Sequence, residues 1–380
     1  MLDSILRPVT LPAHLTGRPA PCDFFDARGT LLLRSGTPVS PRATLDPQRT
    51  RLYCTAVEAR RLSPENPLAE LHALADALDG LGARASSDRL PAASEFLRLA
   101  RSLHALWQQD ADACIGYARL TAFGTPSACH AIRSALFVAE LGAANGLPPD
   151  AMTHTIGAAL TMNLASMALH DRLHGLVNLP DAASAAAIHA HPLESKRLLE
   201  RIGGFPGEWL DAVAQHHENV DGSGYPAGLG RSAIALGARM LRIADLLAAR
   251  LGGRRGRAPR YWILHQTRDP QRLIQHVFGA DLDHLDPALV RQLMGRLGAF
   301  PPGSLVRLSN GELALVARRP ADLQAGPREV WSFVGGHGRP LDAPRQRRLG
   351  PRECQIRSYA HDELPRLPAC DWKRVWGYGH

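Results

Sequence analysis

Hydrophobic residues in the first part of the chain occur in short runs separated by turn-forming residues. Phe24–Phe25 and Leu31–Leu33 flank the segment Asp26-Ala27-Arg28-Gly29, whose aspartate and glycine are typical of a tight turn. The pattern predicts a β-hairpin within a small β-rich module over residues 1–62. This module contains no candidate catalytic residues, and we expect a sensing or docking role for it.

The spacing of apolar residues changes to that of helices from about Pro67 to Phe300. Leucines three and four residues apart in the segment 68–81 lie on one face of a helix, and the Ser-Ser-Asp segment at 86–88 ends that pattern. We divide this region into a helical linker over 63–109 and a helical domain over 110–300. Further helices are predicted near 97–106, 127–145, 151–169, 182–202, 207–218, 234–251 and 286–298.

After Pro301-Pro302-Gly303 the pattern becomes extended again. Leu305–Leu308 and Leu313–Val316 flank Asn310-Gly311, a strong signal for a hairpin turn. A second extended run covers residues 330–333. Residues 301–380 are therefore predicted to form a C-terminal β-hairpin extension, with an Arg- and Pro-rich tail beyond 340 that wraps the surface or is loosely ordered. The predicted fold class is mainly α.

Composition narrows the functional classes. No apolar run approaches the roughly 20 residues needed to span a bilayer, and the N-terminus lacks the features of a signal peptide, so the cytoplasm is the predicted location. The six cysteines are scattered without a CxxC motif, which argues against a zinc ribbon or a disulfide framework. The net charge of +8 comes almost wholly from arginine and is compatible with a polyanionic partner such as a nucleotide.

The segment from Gln215 to Pro226, QHHENVDGSGYP, is the strongest candidate for a functional site. Adjacent histidines at a helix end, followed by a glycine-rich loop and accompanied by acidic residues, favour a metal site over a structural role. The glycines of the loop allow backbone angles that other residues rarely adopt.

The string HHENVDGSGYP resembles the signature of HD-GYP domains, and the resemblance extends from about Asp110 to Leu308. It implies an all-helical bundle that holds two or three iron or manganese ions and hydrolyses cyclic di-GMP. By the same resemblance, the implied metal ligands are His130, His191, His216, His217 and Asp245. Arg254, Arg257 and Tyr225 are the implied substrate contacts. The loop residues Asp221, Gly222, Gly224, Tyr225 and Pro226 are implied to contact partner proteins of the diguanylate-cyclase type.

The resemblance fails at the pair of residues that gives the family its name. In a register without gaps, Met162 stands at the family's histidine, Asn163 at its aspartate and Ser166 at its lysine. A literal His170-Asp171 pair lies eight residues later, but in this register Asp171 matches a different acidic residue of the family. Leu176 replaces a further lysine, and Pro126 replaces a glutamate that holds a third metal in some members.

Three functions stay open. In the first, the domain is a degenerate HD-GYP protein that binds a nucleotide or a partner protein with weak or no catalysis. In the second, it is an active phosphodiesterase that uses the remaining histidines and a carboxylate such as Glu218 or Asp221. In the third, it is a non-catalytic scaffold or a nucleic-acid binder, although nucleic acid is not the expected partner. The cofactor implied is one or at most two iron or manganese ions, or none.

Overall fold

The computed structural model describes the whole chain except residues 1–5, 10, 12–14, 16, 27, 41–51, 56–57, 59–65, 88, 177–179, 253–273, 276, 321–325, 361–371, 377 and 379–380. The chain forms two compact units. One comprises Met1–Asn66 together with Asp371–His380, and the other comprises Pro67–Cys370. Among the described residues, no helix is both long and apolar enough to cross a membrane.

The first unit contains a four-stranded antiparallel sheet. Its strands are β1 (Leu6–Val9), β2 (Phe24–Phe25), β3 (Leu31–Leu33) and β4 (Leu52–Thr55), in the order β1-β4-β2-β3. The predicted hairpin is confirmed, since Phe24 lies opposite Leu33 and Asp26 Oδ1 accepts hydrogen bonds from two backbone N–H groups of the turn. A short helix, α10 (Trp372–Val375), belongs to the same unit.

The second unit is mainly helical, as predicted. Its helices are α1 (Pro67–Ala85), α2 (Ala93–Leu120), α3 (Pro126–Ala144), α4 (Pro149–Thr161), α5 (Met167–His174), α6 (Ala182–Ile202), α7 (Gly207–Gln215), α8 (Leu236–Gly252) and α9 (Pro287–Leu297). Helix α3 is buried along nearly its whole length and packs against α2, α4, α8 and α9. It therefore forms the centre of the bundle.

The predicted continuous helix over 151–169 is wrong. Helix α4 ends at Thr161, a single 3-10 turn covers Leu164–Ser166, and α5 starts at Met167. The interruption has local causes: Asn163 has non-helical backbone angles, and the amide of Ala165 donates to the hydroxyl of Ser195 on α6 instead of continuing the helix. This break turns the chain beside the candidate site.

Helix α7 is held against the end of α4 by Trp209. The indole is fully buried, donates from Nε1 to Thr161 Oγ1 at 2.8 Å, and lies over Gly157. A Cβ atom on Gly157 would come within 2.0 Å of the indole ring, so only glycine allows this close approach. The contact sets the position of the helix that ends at His216.

A five-stranded antiparallel sheet completes the second unit. Its strands are β5 (Ser304–Leu308), β6 (Leu313–Val316), β7 (Glu329–Val334), β8 (Pro340–Arg348) and β9 (Ile356–Tyr359), in the order β8-β7-β6-β5-β9. The hairpin at Asn310-Gly311 is confirmed by the pairing of β5 with β6. The prediction for the tail was wrong, because residues beyond 340 supply both edge strands of this sheet.

Buried ion pairs join this sheet to the helices. Arg319, just after β6, pairs with Glu140 of α3 and with Asp112 of α2. Glu140 is fully buried and also accepts hydrogen bonds from Arg296 Nε at 2.6 Å and from Trp107 Nε1 at 3.0 Å. Burial alone would raise the pKa of Glu140, but the two guanidinium groups hold it below its ordinary value.

Candidate metal centre

Three histidines from two neighbouring helices converge in the second unit. His191 lies in α6, His216 caps the C-terminus of α7, and His217 follows it. One ligand atom from each ring lies within 4.8 Å of those of the other two. His191 and His216 are closest, with 3.0 Å between their Nε2 atoms. The sequence indicated these residues as a set, and the structure brings them together.

The hydrogen bonds of two rings determine which nitrogen faces the centre of the set. His191 Nδ1 lies 2.5 Å from the carbonyl of Ile188, and His216 Nδ1 lies 2.6 Å from the carbonyl of Val213. A carbonyl accepts only, so each Nδ1 carries the proton and each Nε2 presents a lone pair. Two lone pairs that face each other at 3.0 Å repel unless a cation lies near them.

The protonation state of the three rings also fits a cation site. Burial lowers the pKa of all three histidines, to about 3 for His216, so they are neutral near pH 7. Neutral imidazole is a good ligand for divalent iron, manganese or zinc. The donor set therefore suits one divalent metal ion, with nitrogen atoms supplied from three sides.

Asp245 and His130 form a second pair beside the three histidines. His130 Nε2 lies 2.8 Å from Asp245 Oδ1, and this bond connects helix α3 with helix α8. Burial would raise the pKa of Asp245, but the hydrogen bond from His130 and the neighbouring histidines hold it well below its ordinary range. Asp245 is therefore a carboxylate, and its negative charge lies close to the three imidazoles.

These groups surround a cavity of about 240 Å³. Its lining among the described residues is Pro126, His130, Arg133, Asn163, Ser166, Leu169, His170, Leu173, His174, Ile188, His191, His217, Asp245, Ala248 and Ala249. Asn163 thus reaches the cavity, whereas Met162 is fully buried and is not part of the lining. Asp245 is the single carboxylate in this described lining.

His170 and His174 are the site residues that sequence reasoning missed. His170 was regarded only as half of a misplaced pair, and His174 was not proposed as a site residue. Both line the cavity, and the rings of His170 and His130 are 5.2 Å apart. Their spacing of four on α5 places both on one helix face, which was the available signal.

The neighbour of His170 has a different role. Asp171 accepts from the backbone N–H of Ser127 at 2.7 Å and from its hydroxyl at 3.0 Å, so it binds the first turn of α3. His170 Nδ1, in contrast, is buried and has no hydrogen-bond partner among the described residues, and burial with the adjacent histidines lowers the pKa of His170 to about 3. The pair therefore separates into a structural carboxylate and a neutral imidazole at the cavity.

Tyr225 packs against the metal set. Its ring stacks on His217 with 4.7 Å between centroids and on His189 with 4.2 Å, so His189 also lies close to the site. Burial raises the pKa of Tyr225 to about 12, and its hydroxyl is neutral. Tyr225 thus supports His217, and the cis peptide bond that follows leads into Pro226.

The glycine-rich loop is held by specific contacts. The carboxylate of Glu218 accepts from the amides of Ala227 at 2.7 Å and Leu229 at 2.9 Å, while Asp221 accepts from Ser223 and His284. Gly222 has a positive φ of 81°. Neither Glu218 nor Asp221 lines the cavity, and both have roles in shaping the loop.

Two of the predicted substrate contacts, Arg254 and Arg257, lie outside the described residues. Leu176, which follows α5, is exposed and offers no charge. Arg133 lines the cavity, but its guanidinium donates to the backbone carbonyls of Ala118 and Thr121. Among these described residues, Arg133 is therefore the cation at the cavity wall, and two of its guanidinium nitrogens already donate to backbone carbonyls.

Comparison with known proteins gives three similarities. A family model described as an HD domain matches residues 126–263. A cyclic di-GMP phosphodiesterase of Pseudomonas aeruginosa, PA4108, is 27% identical over 198 residues, which cover 52% of this chain and 42% of that relative. The solved structure of Bd1817, described as an HDGYP-type protein from Bdellovibrio bacteriovorus, is 12% identical with a TM-score of 0.47, over 76% of this chain and 98% of that one.

Proposed function

Because the chain is an HD-domain protein of the HD-GYP family, we propose that its helical unit binds cyclic di-GMP at a site with one metal ion and hydrolyses it weakly or not at all. The observation that carries this proposal is the neutral side chain of Asn163 at the cavity wall beside the three histidines. The proposal that this chain is a degenerate member of the family rests on the alignment of Met162, Asn163 and Ser166 with the family's metal-binding and lysine positions.

Electrostatics supports a single ion. Two dications about 4 Å apart repel by roughly 16 kcal/mol at an effective dielectric of 20, so a paired site needs a carboxylate between them. Asn163 supplies only a neutral carbonyl oxygen, and the thioether of Met162 is a poor ligand for hard cations. Asp245, the carboxylate in the described lining, is hydrogen-bonded to His130.

Each residue of the site would have its own role in binding the ion and the ligand. His191, His216 and His217 would hold the ion, which supplies a positive charge for a phosphate oxygen of the ligand. Asp245 would offset the positive charge of the ion, and His130 would orient Asp245. Tyr225 would keep the ring of His217 in place through stacking.

Catalysis by this set lacks two contributions. A second ion would normally stabilise the leaving oxygen of a phosphodiester, and a basic side chain would neutralise the phosphate. Ser166 and Leu176 carry no positive charge, and the guanidinium of Arg133 is held at the cavity wall by hydrogen bonds to two backbone carbonyls, which restrict its reach towards a phosphate. The phosphodiesterase alternative that relied on Glu218 or Asp221 finds no support here, because both are engaged in the loop.

The test is anaerobic incubation of the full chain with cyclic di-GMP and Fe²⁺ or Mn²⁺. Equilibrium dialysis measures binding, and chromatography measures linear product. We expect metal-dependent binding that is lost in His217→Ala, with no product above background. His154→Ala is the matched control, because that ring hydrogen-bonds Glu208 away from the cavity.

Each other outcome has a definite meaning. Turnover that His217→Ala abolishes would show that three histidines suffice for hydrolysis and would overturn the proposal. Absence of binding from folded protein would leave the loop of Asp221, Gly222, Gly224, Tyr225 and Pro226 as the candidate contact for a signalling protein. Strongly salt-dependent binding to random DNA would instead support the scaffold or nucleic-acid hypothesis.

A further inference from the structure

The first unit contains a cluster of side chains that could bind a metal ion, and this cluster is distant in sequence from the histidine site. The sulfurs of Cys22 and Cys54 and a carboxylate oxygen of Glu58 all lie within 4.8 Å of one another. Both cysteines are buried and neither forms a disulfide. The scatter of the cysteines in the sequence argued against a zinc ribbon or a disulfide framework and did not indicate that Cys22 and Cys54 meet.

The sheet explains how the two thiols meet. Phe25 of β2 lies opposite Tyr53 of β4, so continuing this antiparallel register places Phe24 opposite Cys54. Cys22 lies in the bend two residues before Phe24, and this bend brings its sulfur to the thiol of Cys54. Phe24, Cys22 and Cys54 all belong to the buried apolar core of this unit.

Glu58 introduces a negative charge beside these thiols. Its Oε2 accepts hydrogen bonds from the hydroxyl of Thr55 at 2.8 Å and from the amide of Thr55 at 3.3 Å. Among the residues that the structure describes, no arginine, lysine or histidine forms an ion pair with Glu58. A half-buried carboxylate without a countercharge is unfavourable next to an apolar core, and a bound cation would relieve this.

We propose that Cys22, Cys54 and Glu58 bind one thiophilic divalent cation of the zinc type. Two thiolates and a carboxylate are ligands that zinc accepts in tetrahedral geometry, at about 2.3 Å for sulfur and about 2.0–2.2 Å for oxygen. Such bond lengths place ligand atoms roughly 3.5–3.8 Å apart, so small side-chain adjustments within the observed cluster complete the site. Water takes the fourth position on the half-exposed side of Glu58.

The protonation change on binding is defined. Each thiol loses one proton as its sulfur binds the ion, so two protons are released per ion. Without metal, burial and the nearby Glu58 raise the pKa of the Cys22 thiol to about 12, and the two thiols hydrogen-bond each other. The thiols are therefore protonated near pH 7 when no ion is bound.

A disulfide is the competing use of the two cysteines. Disulfide formation requires a thiolate to attack, and the carboxylate of Glu58 opposes formation of a thiolate unless a cation is present. The core cluster around these cysteines has only seven buried members among the described residues, so a metal ion that links β4 to the segment before β2 would add stability.

The experiment is a Co²⁺ titration of the reduced full chain, followed by absorption spectroscopy. Thiolate ligands give an intense near-ultraviolet charge-transfer band, whereas the histidine site has no cysteine in its described lining. We expect the band to saturate at one ion per chain and to disappear on addition of Zn²⁺. Glu58→Gln should weaken Co²⁺ binding roughly 10–100-fold while both thiols remain.

Two further variants make the assignment specific. Cys54→Ala should abolish the band, while Cys129→Ala, a buried cysteine next to His130 in the helical unit, should leave it unchanged. Absence of the band in the wild-type chain, or its persistence in Cys54→Ala, would overturn the proposal. A native mass two hydrogens lower, with Cys22 and Cys54 in one cross-linked peptide, would show a disulfide and overturn it as well.

Discussion

At the scale of single residues, Asn163 determines how many ions the histidine cavity can hold. Replacing it by aspartate adds a negative charge at the cavity wall. Two opposite unit charges about 4 Å apart attract each other by roughly 4 kcal/mol at an effective dielectric of 20, so this charge favours binding of a second cation. We expect Asn163→Asp to raise Mn²⁺ binding from one ion per chain to two, measured by equilibrium dialysis. The control is Asn310→Asp, in the β5–β6 turn.

Hydrolysis should remain near background in the same variant. Ser166 and Leu176 still provide no lysine for the phosphate, so even Met162→His combined with Asn163→Asp should restore little turnover. Product formation is measured by chromatography. If Asn163→Asp leaves Mn²⁺ binding unchanged, the neutral side chain is not what limits the number of ions.

His170 should make stability depend on pH in the acid range. Its pKa is about 3 in the folded chain and about 6.5 in the unfolded chain, because burial disfavours the charged ring. Above pH 6.5 both states are neutral, and below it only the unfolded state binds the proton. As the pH falls from about 6.5 to about 3, the contribution of this ring to the free energy of unfolding therefore decreases by roughly 1.4 kcal/mol per pH unit.

Denaturant unfolding of the metal-free chain at several pH values measures this effect. His170→Gln should lose that part of the slope, whereas the exposed His337→Gln should keep it. If the free energy of unfolding depends equally on pH in the wild type and in His170→Gln, water or a ligand stabilises the protonated ring of His170 in the folded chain.

The residue scale also shows which site residues the sequence could indicate. His191, His216 and His217 were selected because a continuous motif and a register without gaps pointed to them, and the fold brings them together. His170 was set aside because the register without gaps matched Asp171 to a different acidic residue of the family. Apolar periodicity also does not reveal the break before helix α5, which carries His170. The motif carries no information about such a break.

At the scale of elements, the glycine-rich loop positions His217. A Cβ on Gly224 would lie 2.2 Å from the amide nitrogen of Asn219 and 2.6 Å from the carbonyl oxygen of His217. Gly224→Ala should therefore displace this backbone and weaken Mn²⁺ binding roughly 10–100-fold in a dialysis measurement. Gly230→Ala is the matched control, since its Cβ would meet nothing within 4 Å. Equal loss in both variants would contradict the proposed role of the loop.

The contact between the C-terminal sheet and the helices depends on Glu140. Removing this carboxylate leaves Arg296, Arg319 and the indole of Trp107 without their buried partner. Glu140→Ala should destabilise the chain by about 3–5 kcal/mol in denaturant unfolding. Glu353→Ala, at an exposed position, should change stability by less than about 0.5 kcal/mol. A small effect at Glu140 would mean that solvent replaces the carboxylate.

Elements with a clear apolar period were predicted well, and elements formed by pairing alone were not. Helix α6 was predicted with the bounds that the structure shows, because its start and end signals agree with its period. Strand β8 (Pro340–Arg348) has no apolar alternation and two prolines. It is a strand because β7 supplies backbone hydrogen bonds at the sheet edge, and this partner is invisible in the local sequence.

At the scale of the whole molecule, ion binding and folding of the helical unit should be linked. The three histidines come from α6 and from the end of α7, so an ion held by them stabilises the folded state only. At a free Mn²⁺ concentration 100 times its Kd, we expect about 2.7 kcal/mol of added stability in denaturant unfolding. His216→Ala should remove the gain and His337→Ala should retain it.

A gain of equal size in His216→Ala would place the stabilising ion elsewhere in the chain. The cysteine cluster of the first unit is the alternative location, and the Co²⁺ absorption band distinguishes the two. The two compact units thus carry chemically different donor sets, nitrogen-rich in one and sulfur-rich in the other.

The packing of Trp209 gives the chain its own optical reporter. The indole is sealed from solvent, hydrogen-bonded to Thr161 at the end of α4, and located on the helix that ends at His216. Any shift of that helix on ion binding changes the surroundings of the fluorophore. Because the chain has five other tryptophans, the part of the emission that is lost in Trp209→Phe is the signal that follows occupancy of the histidine site in real time, without a dye or a radioactive ion.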